Sequence, residues 1–382
     1  MRIVFLIRAL QGGGAERQLV TLIRALDPAR FEVTVATFYP GGHLCADLED
    51  LPNVRVVCAD KRGRWDLLGF FFRLLRILHR AGPDVVHGYM YGANELALVF
   101  GRLTGAAVVW GIRASGLEMR HYDMATRMLY RSGAWLSRWS DLIIANSEAG
   151  RRFHLGMGYP SAKLRVIPNG IDTARFEYNA TERERVRQQW GVKDGEVLIG
   201  VVARLDPMKD HPTFLRAAAL IAKEHPAVRF VIVGAGAEQS LRTLKSLSEE
   251  LGVSPRVLWA GPREDVTAVY SALDLFTCCS AFGEGFPNSL AEAMACERLC
   301  VATRVGDAEW ILGDLGEIVP PREPAALAAA WSRLLALSSI ERARRGRESR
   351  QRIVRSFGVS ALVQATADLL TQAASRAVPS MS

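Results

Sequence analysis

None of the six cysteines stands in C-x-x-C spacing, and no Asp-x-Asp motif occurs anywhere in the 382 residues. The first absence removes the pattern that zinc sites and dithiol redox centres use, so Cys45, Cys58, Cys278, Cys279, Cys296 and Cys300 are expected as reduced, mostly buried thiols, and no metal site is expected. No apolar run approaches the roughly 20 residues that a bilayer crossing needs. The opening Met1 to Ile7 run stops at Arg8 and has no small-residue cleavage site, so a cytoplasmic protein is the reading. A Gly-x-Gly-x-x-Gly turn with an acidic residue closing the next strand is also missing, which argues against the ordinary dinucleotide-binding loop.

Hydrophobic residues at 49% and charged residues at 23% exclude wholesale disorder, and 382 residues exceed what one core usually organises. Two domains are therefore expected. The net charge of +8 is one-sided: residues 1–170 hold 22 Lys+Arg against 14 Asp+Glu, whereas the remainder holds 26 of each. An anionic partner for the first half follows, whether phosphate-bearing lipid, membrane surface or nucleic acid; nucleic acid ranks last, because it leaves the acidic motifs described below without a purpose.

Short β-branched runs alternate with helical patterns, the rhythm of parallel sheets covered by helices. Seven such runs precede the turn cluster Pro168-Asn169-Gly170-Ile171-Asp172, from Ile3–Ile7 through Ala107–Trp110 to Arg165–Ile167, and six follow it, starting at Val197–Val202. The expected domains are 1–168 and 169–358. A C-terminal helix is expected within 359–382, as a candidate to cross back to the first domain, with Pro379-Ser380-Met381-Ser382 frayed.

Three stretches carry chemistry. Gln11-Gly12-Gly13-Gly14-Ala15-Glu16-Arg17 follows the first strand and leads into an apolar-periodic helix from Gln18 to Leu26, which makes it either a tight turn or an anion cradle at a helix N-terminus. After Val197–Val202, the loop Ala203-Arg204-Leu205-Asp206-Pro207-Met208-Lys209-Asp210 sets two cations five residues apart at the strand edge where open α/β sheets bind ligands. They are either solvated or placed to neutralise a diphosphate. Phe282-Gly283-Glu284-Gly285-Phe286-Pro287-Asn288-Ser289-Leu290-Ala291-Glu292-Ala293-Met294 places two glutamates eight apart around a helix start near Asn288. Free N–H groups there suit phosphate, Glu292 suits ribose hydroxyls, and Glu284 in the loop can orient a sugar or steady charge at an anomeric carbon.

These stretches, together with Ile167-Pro168-Asn169-Gly170-Ile171-Asp172 and Val233-Gly234-Ala235-Gly236, resemble glycosyltransferase family 4 along essentially the whole chain. The resemblance implies the GT-B architecture, two Rossmann-like parallel-sheet domains facing across a cleft. It further implies a retaining, metal-independent glycosyltransferase without a cofactor, taking a sugar from a nucleotide-sugar donor to a hydroxyl of a lipid-linked, polysaccharide or other glycan acceptor in cell-envelope biosynthesis. By the same resemblance Arg204 and Lys209 hold the diphosphate, Glu292 the ribose and Glu284 the transferred sugar. Gly234 and Gly236 let the backbone lie against the nucleotide, Gly13 and Gly14 count among the donor-binding residues, and Arg263 and Val266 flank the base. Asn288, Ser289 and Leu290 offer backbone N–H groups to the phosphates, and Phe286 and Pro287 beside them count among the donor-binding residues.

One departure stands out. Family members often carry a histidine after the strand that here continues Gly111-Ile112-Arg113-Ala114-Ser115-Gly116. Arg113 takes that place, and with Glu16 it is the acceptor-side candidate. His87, at another strand end, is either a hydrogen-bonded structural residue or a catalytic one.

The basic, aromatic stretch Lys61 to Arg80 and the stretch Arg127 to Trp139 have two readings as well: domain helices with solvated cations, or surfaces for peripheral association with an anionic membrane at its cytoplasmic face. A nucleotide-sugar epimerase of the same architecture, and an inactive relative serving as a binding partner, are the alternatives to a transferase. The first would epimerise donor alone; the second is disfavoured because Arg204, Lys209, Glu284 and Glu292 occur together.

Overall fold

The computed structural model describes residues 1–63, 65–113, 115 and 132–377. Arg64, Ala114, Gly116, the Arg127 to Arg131 part of the second basic stretch and the Pro379 to Ser382 tail lie outside the described residues. Contacts divide the chain into two units, Met1–Gly170 with Val359–Ser382, and Ile171–Gly358. The first unit owns all the positive excess, since Asp368 and Arg376 in its returning segment cancel.

The first unit is built on a parallel sheet of seven strands: β1 (Arg2–Ile7), β2 (Glu32–Thr37), β3 (Val54–Cys58), β4 (Val85–Tyr89), β5 (Ala107–Ile112), β6 (Leu142–Ala145) and β7 (Leu164–Val166). Their order is β3-β2-β1-β4-β5-β6-β7. Strands buried on both faces need apolar side chains at every position, and β5, Ala-Val-Val-Trp-Gly-Ile, is buried throughout. One face of the sheet is covered by the helices Gly14–Ala25 and Val359–Ala377, whose Leu19, Leu22, Ile23, Leu362 and Leu370 share a core with Phe5, Val35 and Val109. The other face receives Phe70, Leu74 and Leu78 from the helix Leu67–Ala81 and Ala97 and Phe100 from the helix Ala93–Thr104.

The helix Leu67–Ala81 therefore does what a domain helix does, yet its first turns are not covered. Trp65 is 85% exposed, Leu68 75% and Phe72 63%. Arg76 and Arg80 on the same helix are exposed too, while Arg73 is tied to Asp66.

The unit boundary falls two residues beyond the expected one, for a definable reason. The buried Gln18 amide donates from Nε2 to the Gly170 carbonyl at 3.0 Å and accepts the Gly170 N–H at Oε1 at 2.9 Å, which fastens Gly170 to the first unit. A Cβ on Gly170 would meet Leu362 and the Val359 backbone at about 3 Å, so the returning helix packs where only glycine fits. One residue later, the Ile171 amide donates to the Phe357 carbonyl at 2.7 Å, within the second unit.

The second unit repeats the design with β8 (Val197–Val202), β9 (Val228–Val233), β10 (Val257–Gly261), β11 (Leu275–Cys278), β12 (Leu299–Thr303) and β13 (Glu317–Val319) in the order β10-β9-β8-β11-β12-β13, all parallel. Asp274, just before β11, organises its lower edge. Its carboxylate accepts from Arg183 and Arg187, at 2.5 and 2.9 Å, and from the Leu198 amide at 2.7 Å. Arg183 also donates to the carbonyls of Ser271, Ala272 and Leu273, Arg187 to Ala272 O and the half-buried Arg298 to Leu273 O, so the three arginines close the C-terminal end of the helix Val266–Ala272. Burial pushes the Asp274 carboxyl up, but Arg183, the Leu198 amide and Arg187 outweigh it and hold it below its ordinary range.

All six cysteines are free, four of them buried. Burial, then Glu284, pushes the Cys278 thiol up to about 11, which leaves it protonated and unreactive at neutral pH.

Candidate functional site

The loop after β8 is shaped by two aspartates. Asp206 accepts the Met208 amide at 2.9 Å and caps the short turn Pro207–Lys209, and Asp210, in the left-handed region at φ 47°, caps the helix His211–Glu224 by accepting the Thr213 N–H and hydroxyl. Lys209 is thereby fixed between two caps. Its ammonium reaches across to Glu284, pairing with Oε1 on the loop after β11. Burial works against that ammonium, but Glu284 outweighs it, with Cys278 adding to the effect, so Lys209 sits above its ordinary range and stays charged. Arg204 is exposed, and among the described residues it forms no ion pair.

The loop after β11 brings its residues to the same place. Glu284, only 7% exposed, also accepts the Ser280 hydroxyl at Oε1, at 2.6 Å. The helix Asn288–Ala295 begins behind Pro287, which contributes no side-chain cap. A small cavity is lined by Val202, Ala203, Lys209, Cys278, Ser280 and Ser289, so the cation and the helix tip border one space within the second unit. Glu292, a turn further on, accepts the Tyr270 hydroxyl at 2.8 Å through Oε2.

Other expected site residues are placed less simply. Phe286 packs against Phe357 with ring centroids 5.4 Å apart, and Leu290 is wholly buried in the same core, so their side chains hold the loop down and offer a ligand nothing but backbone. The Leu290 amide already donates to the Pro287 carbonyl at 3.1 Å, so it is engaged within the loop. Gly234 has φ 150°, and a Cβ there would overlap the Ala203 carbonyl; one on Gly236 would strike Leu205. Both glycines thus let the loop after β9 run against the loop after β8, a reason internal to the chain. Arg263 forms a two-pronged pair with Asp265, both bonds 2.7 Å, beside Val266 at the start of its helix. Arg263, then Arg185, holds the Asp265 carboxyl down at about 2.

In the first unit, the helix Gly14–Ala25 starts at Gly13, and the Glu16 carboxylate folds back so closely that a Cβ on Gly13 would overlap it. Glu16 is therefore a helix-terminus charge in this placement. Arg113 donates to the Tyr89 hydroxyl at 2.6 Å and lies over that ring, 4.3 Å from its centroid. His87 is wholly buried against Phe5 and Tyr89, and among the described residues neither ring nitrogen has a hydrogen-bond partner. Burial, then Arg113, pushes its pKa well below the ordinary value, so the imidazole is neutral, and its placement is that of a core ring rather than a surface base.

Sequence reasoning missed Ser280 and Tyr270, which hold the two motif glutamates. A serine four residues before Glu284 was visible; a tyrosine on a helix 22 positions away from Glu292 carried no signal.

Two family models match: Glycosyltransferase Family 4 over residues 12–175, and Glycosyl transferases group 1 over residues 196–337. The chain belongs to the family 4-like GT-B glycosyltransferases. The chain is 32% identical over 208 residues to a D-inositol 3-phosphate glycosyltransferase of Corynebacterium jeikeium, a match covering 51% of the chain and 49% of that enzyme. It thus spans about half the length of that curated relative. It is 28% identical over 313 residues to the putative glycosyltransferase EpsD of Bacillus subtilis, covering 79% of the chain and 80% of EpsD. HepE of Anabaena, solved in complex with UDP, superposes with a TM-score of 0.85 over 97% of the chain and 100% of its own, at 23% identity, a likeness of fold.

Proposed function

We propose that this glycosyltransferase is retaining and metal-independent, and moves a sugar from a nucleoside diphosphate sugar to a hydroxyl of a glycan or lipid-linked acceptor in polysaccharide or cell-envelope synthesis. One observation carries the reading: Lys209, paired with Glu284, borders the same small space as Ser289 at the helix tip. The diphosphate takes Lys209 and Arg204 as counter-charges and the first amides of the helix Asn288–Ala295 as donors. As the anomeric C–O bond lengthens, negative charge grows on the departing phosphate oxygen, where those fixed charges stabilise it, the work a divalent ion does elsewhere. Glu284 accepts a hydroxyl of the transferred sugar. Glu292, steadied by Tyr270, accepts from the ribose.

The acceptor hydroxyl then attacks the anomeric carbon from the face the diphosphate leaves, and its proton passes to the departing phosphate oxygen. No protein nucleophile is required. HepE's complex with UDP and the sugar-transferring relatives favour a donor of this class.

A thermal-shift screen with UDP-, GDP- and ADP-sugars tests the reading. A donor at about 100 times its Kd stabilises the native state by about 2.7 kcal/mol, so one nucleotide family should raise the melting midpoint by several degrees. No shift with any of them, or with UDP, GDP or ADP, overturns it.

The first unit is proposed to lie on an anionic membrane at its cytoplasmic face and to meet a membrane-borne acceptor there. Trp65, Leu68 and Phe72 stand exposed beside Arg76 and Arg80, and among the described residues no helix is long and apolar enough to cross a bilayer. Sedimentation should show binding to phosphatidylglycerol vesicles that weakens with salt, and little to phosphatidylcholine alone. Equal binding to both, or none, contradicts it.

A further inference from the structure

Arg8, Tyr39 and Lys61 stand within three residues of the ends of β1, β2 and β3, neighbouring strands of the first unit. Backbone bonds lace these ends together: the Phe38 and Tyr39 amides donate to the Arg8 carbonyl at 3.1 and 3.0 Å, and the Lys61 amide donates to the Phe38 carbonyl at 2.9 Å. Both cations lie over one ring. The Arg8 guanidinium is 5.6 Å and the Lys61 ammonium 6.0 Å from the Tyr39 centroid. This is the carboxyl-terminal edge of the sheet, beside the reversal of strand order between β1 and β4, where open α/β sheets take ligands. The carboxylates of the loop that carries Lys61 are already engaged, Asp60 with Arg62 at 2.9 Å and Asp66 with Arg73. Among the described residues neither Arg8 nor Lys61 has an ion pair; Lys61 donates to the Gly63 carbonyl at 2.6 Å. Arg73 has a second effect. Its guanidinium also donates to the Ala59 and Asp60 carbonyls at 2.8 and 2.9 Å, which ties the first turns of the helix Leu67–Ala81 to that loop. The exposed Leu68 and Phe72, a turn apart on this helix, and Trp65 before it therefore stand beside the same loop.

We infer that Arg8 and Lys61 bind the phosphate head of a lipid acceptor whose hydrocarbon lies against Trp65, Leu68 and Phe72, which rests on the reading that a membrane-borne acceptor meets the first unit. Cations without a carboxylate partner call for an anion, and phosphate oxygens accept from guanidinium and ammonium alike. Tyr39 keeps the two close although they repel each other, because its ring face attracts both. The bare apolar side chains gain from a hydrocarbon chain that takes them out of water. A soluble sugar phosphate satisfies the cations and leaves the apolar surface idle.

Farnesyl diphosphate is the probe, a lipid diphosphate that stays in solution, with UDP, GDP and ADP present throughout to occupy the donor site. Calorimetry should find it bound at least about tenfold more tightly than inorganic pyrophosphate or glucose 6-phosphate, the difference being the buried chain. Arg8→Gln and Lys61→Gln should each weaken it about three- to tenfold, since each removes one charge-assisted contact. Leu68→Ser with Phe72→Ser should weaken farnesyl diphosphate about tenfold and leave pyrophosphate within about twofold. Arg8→Lys with Lys61→Arg keeps both charges and should bind within about threefold of wild type, which guards against an altered fold. If wild type does not bind farnesyl diphosphate, or the glutamine variants bind it as wild type does, the site is wrong; sedimentation with phosphatidylglycerol vesicles decides the membrane reading separately. If glucose 6-phosphate binds as tightly as farnesyl diphosphate and loses affinity in the glutamine variants, the occupant is a soluble phosphate and the lipid assignment falls. If the charge-keeping pair weakens binding as much as the glutamines do, the effect is general loosening, which also overturns the site. If wild type neither sediments with those vesicles nor binds farnesyl diphosphate, the membrane reading falls and takes this inference with it.

Discussion

Replacing Lys209 by alanine should lower turnover about a hundredfold, the loss that follows when one charge-stabilising donor is taken from a developing oxyanion. The effect is large because Lys209 has no neighbour able to take over: Arg204 is exposed and approaches from solvent, whereas Lys209 is held at 18% side-chain exposure between the caps of Asp206 and Asp210. Removing it also takes the Lys209 charge from the buried Glu284 carboxylate, so the variant is expected to be less stable, and the rate must be taken per folded molecule. Glu292→Ala is the companion. It should cost at least about tenfold, chiefly through weaker nucleotide binding, because it deletes the ribose acceptor that Tyr270 holds in place. Near-normal initial rates in both variants would overturn the donor-site assignment.

The largest effect on stability is expected at Asp274, far from any proposed ligand contact. Asp274→Ala strands Arg183 and Arg187 against a helix end with no anion to balance them, and unpairing a largely buried charge costs about 3–5 kcal/mol. The pH dependence has a definite sign. The folded-state value lies below the ordinary 3.8, so the stabilisation is fully present above the unfolded value and is lost as pH falls through the folded one. Urea unfolding at pH 7 should therefore show wild type well above Asp274→Ala, with the gap narrowing below about pH 4. A gap under about 1 kcal/mol at pH 7, or one that widens on acidification, contradicts the account.

Much of the architecture was legible because doubly covered parallel strands must be apolar along their whole length. The expected run Val197–Val202 coincides with β8, and Ile3–Ile7 and Ala107–Trp110 fall within β1 and β5. Helix starts were harder to read. Periodicity begins at Gln18, but the helix begins at Gly14, since its first turn needs no apolar face and tolerates glycine, which the pattern cannot register. In the site, motif position and side-chain direction parted company. Phe286 and Leu290 belong to the most specific stretch of the sequence and yet point into the core, which their apolar character could have indicated. Tyr270 was silent because an assisting hydrogen bond depends on where a neighbouring element lands, and no local pattern encodes that, whereas Ser280 lies four residues from Glu284 on the same loop.

The return of the helix Val359–Ala377 to the first unit has an outcome for synthesis on the ribosome. Leu362, Ala367, Leu370 and Ala373, which complete the core over β4 and β5, are translated only after every residue of the second unit. A nascent first unit must wait with part of an apolar face bare, open to chaperones or to other chains, while a fragment ending at Gly170 would carry that bareness permanently. Supplying residues 359–377 as a separate peptide is then a route to mending such a fragment, since the missing piece is a single helix.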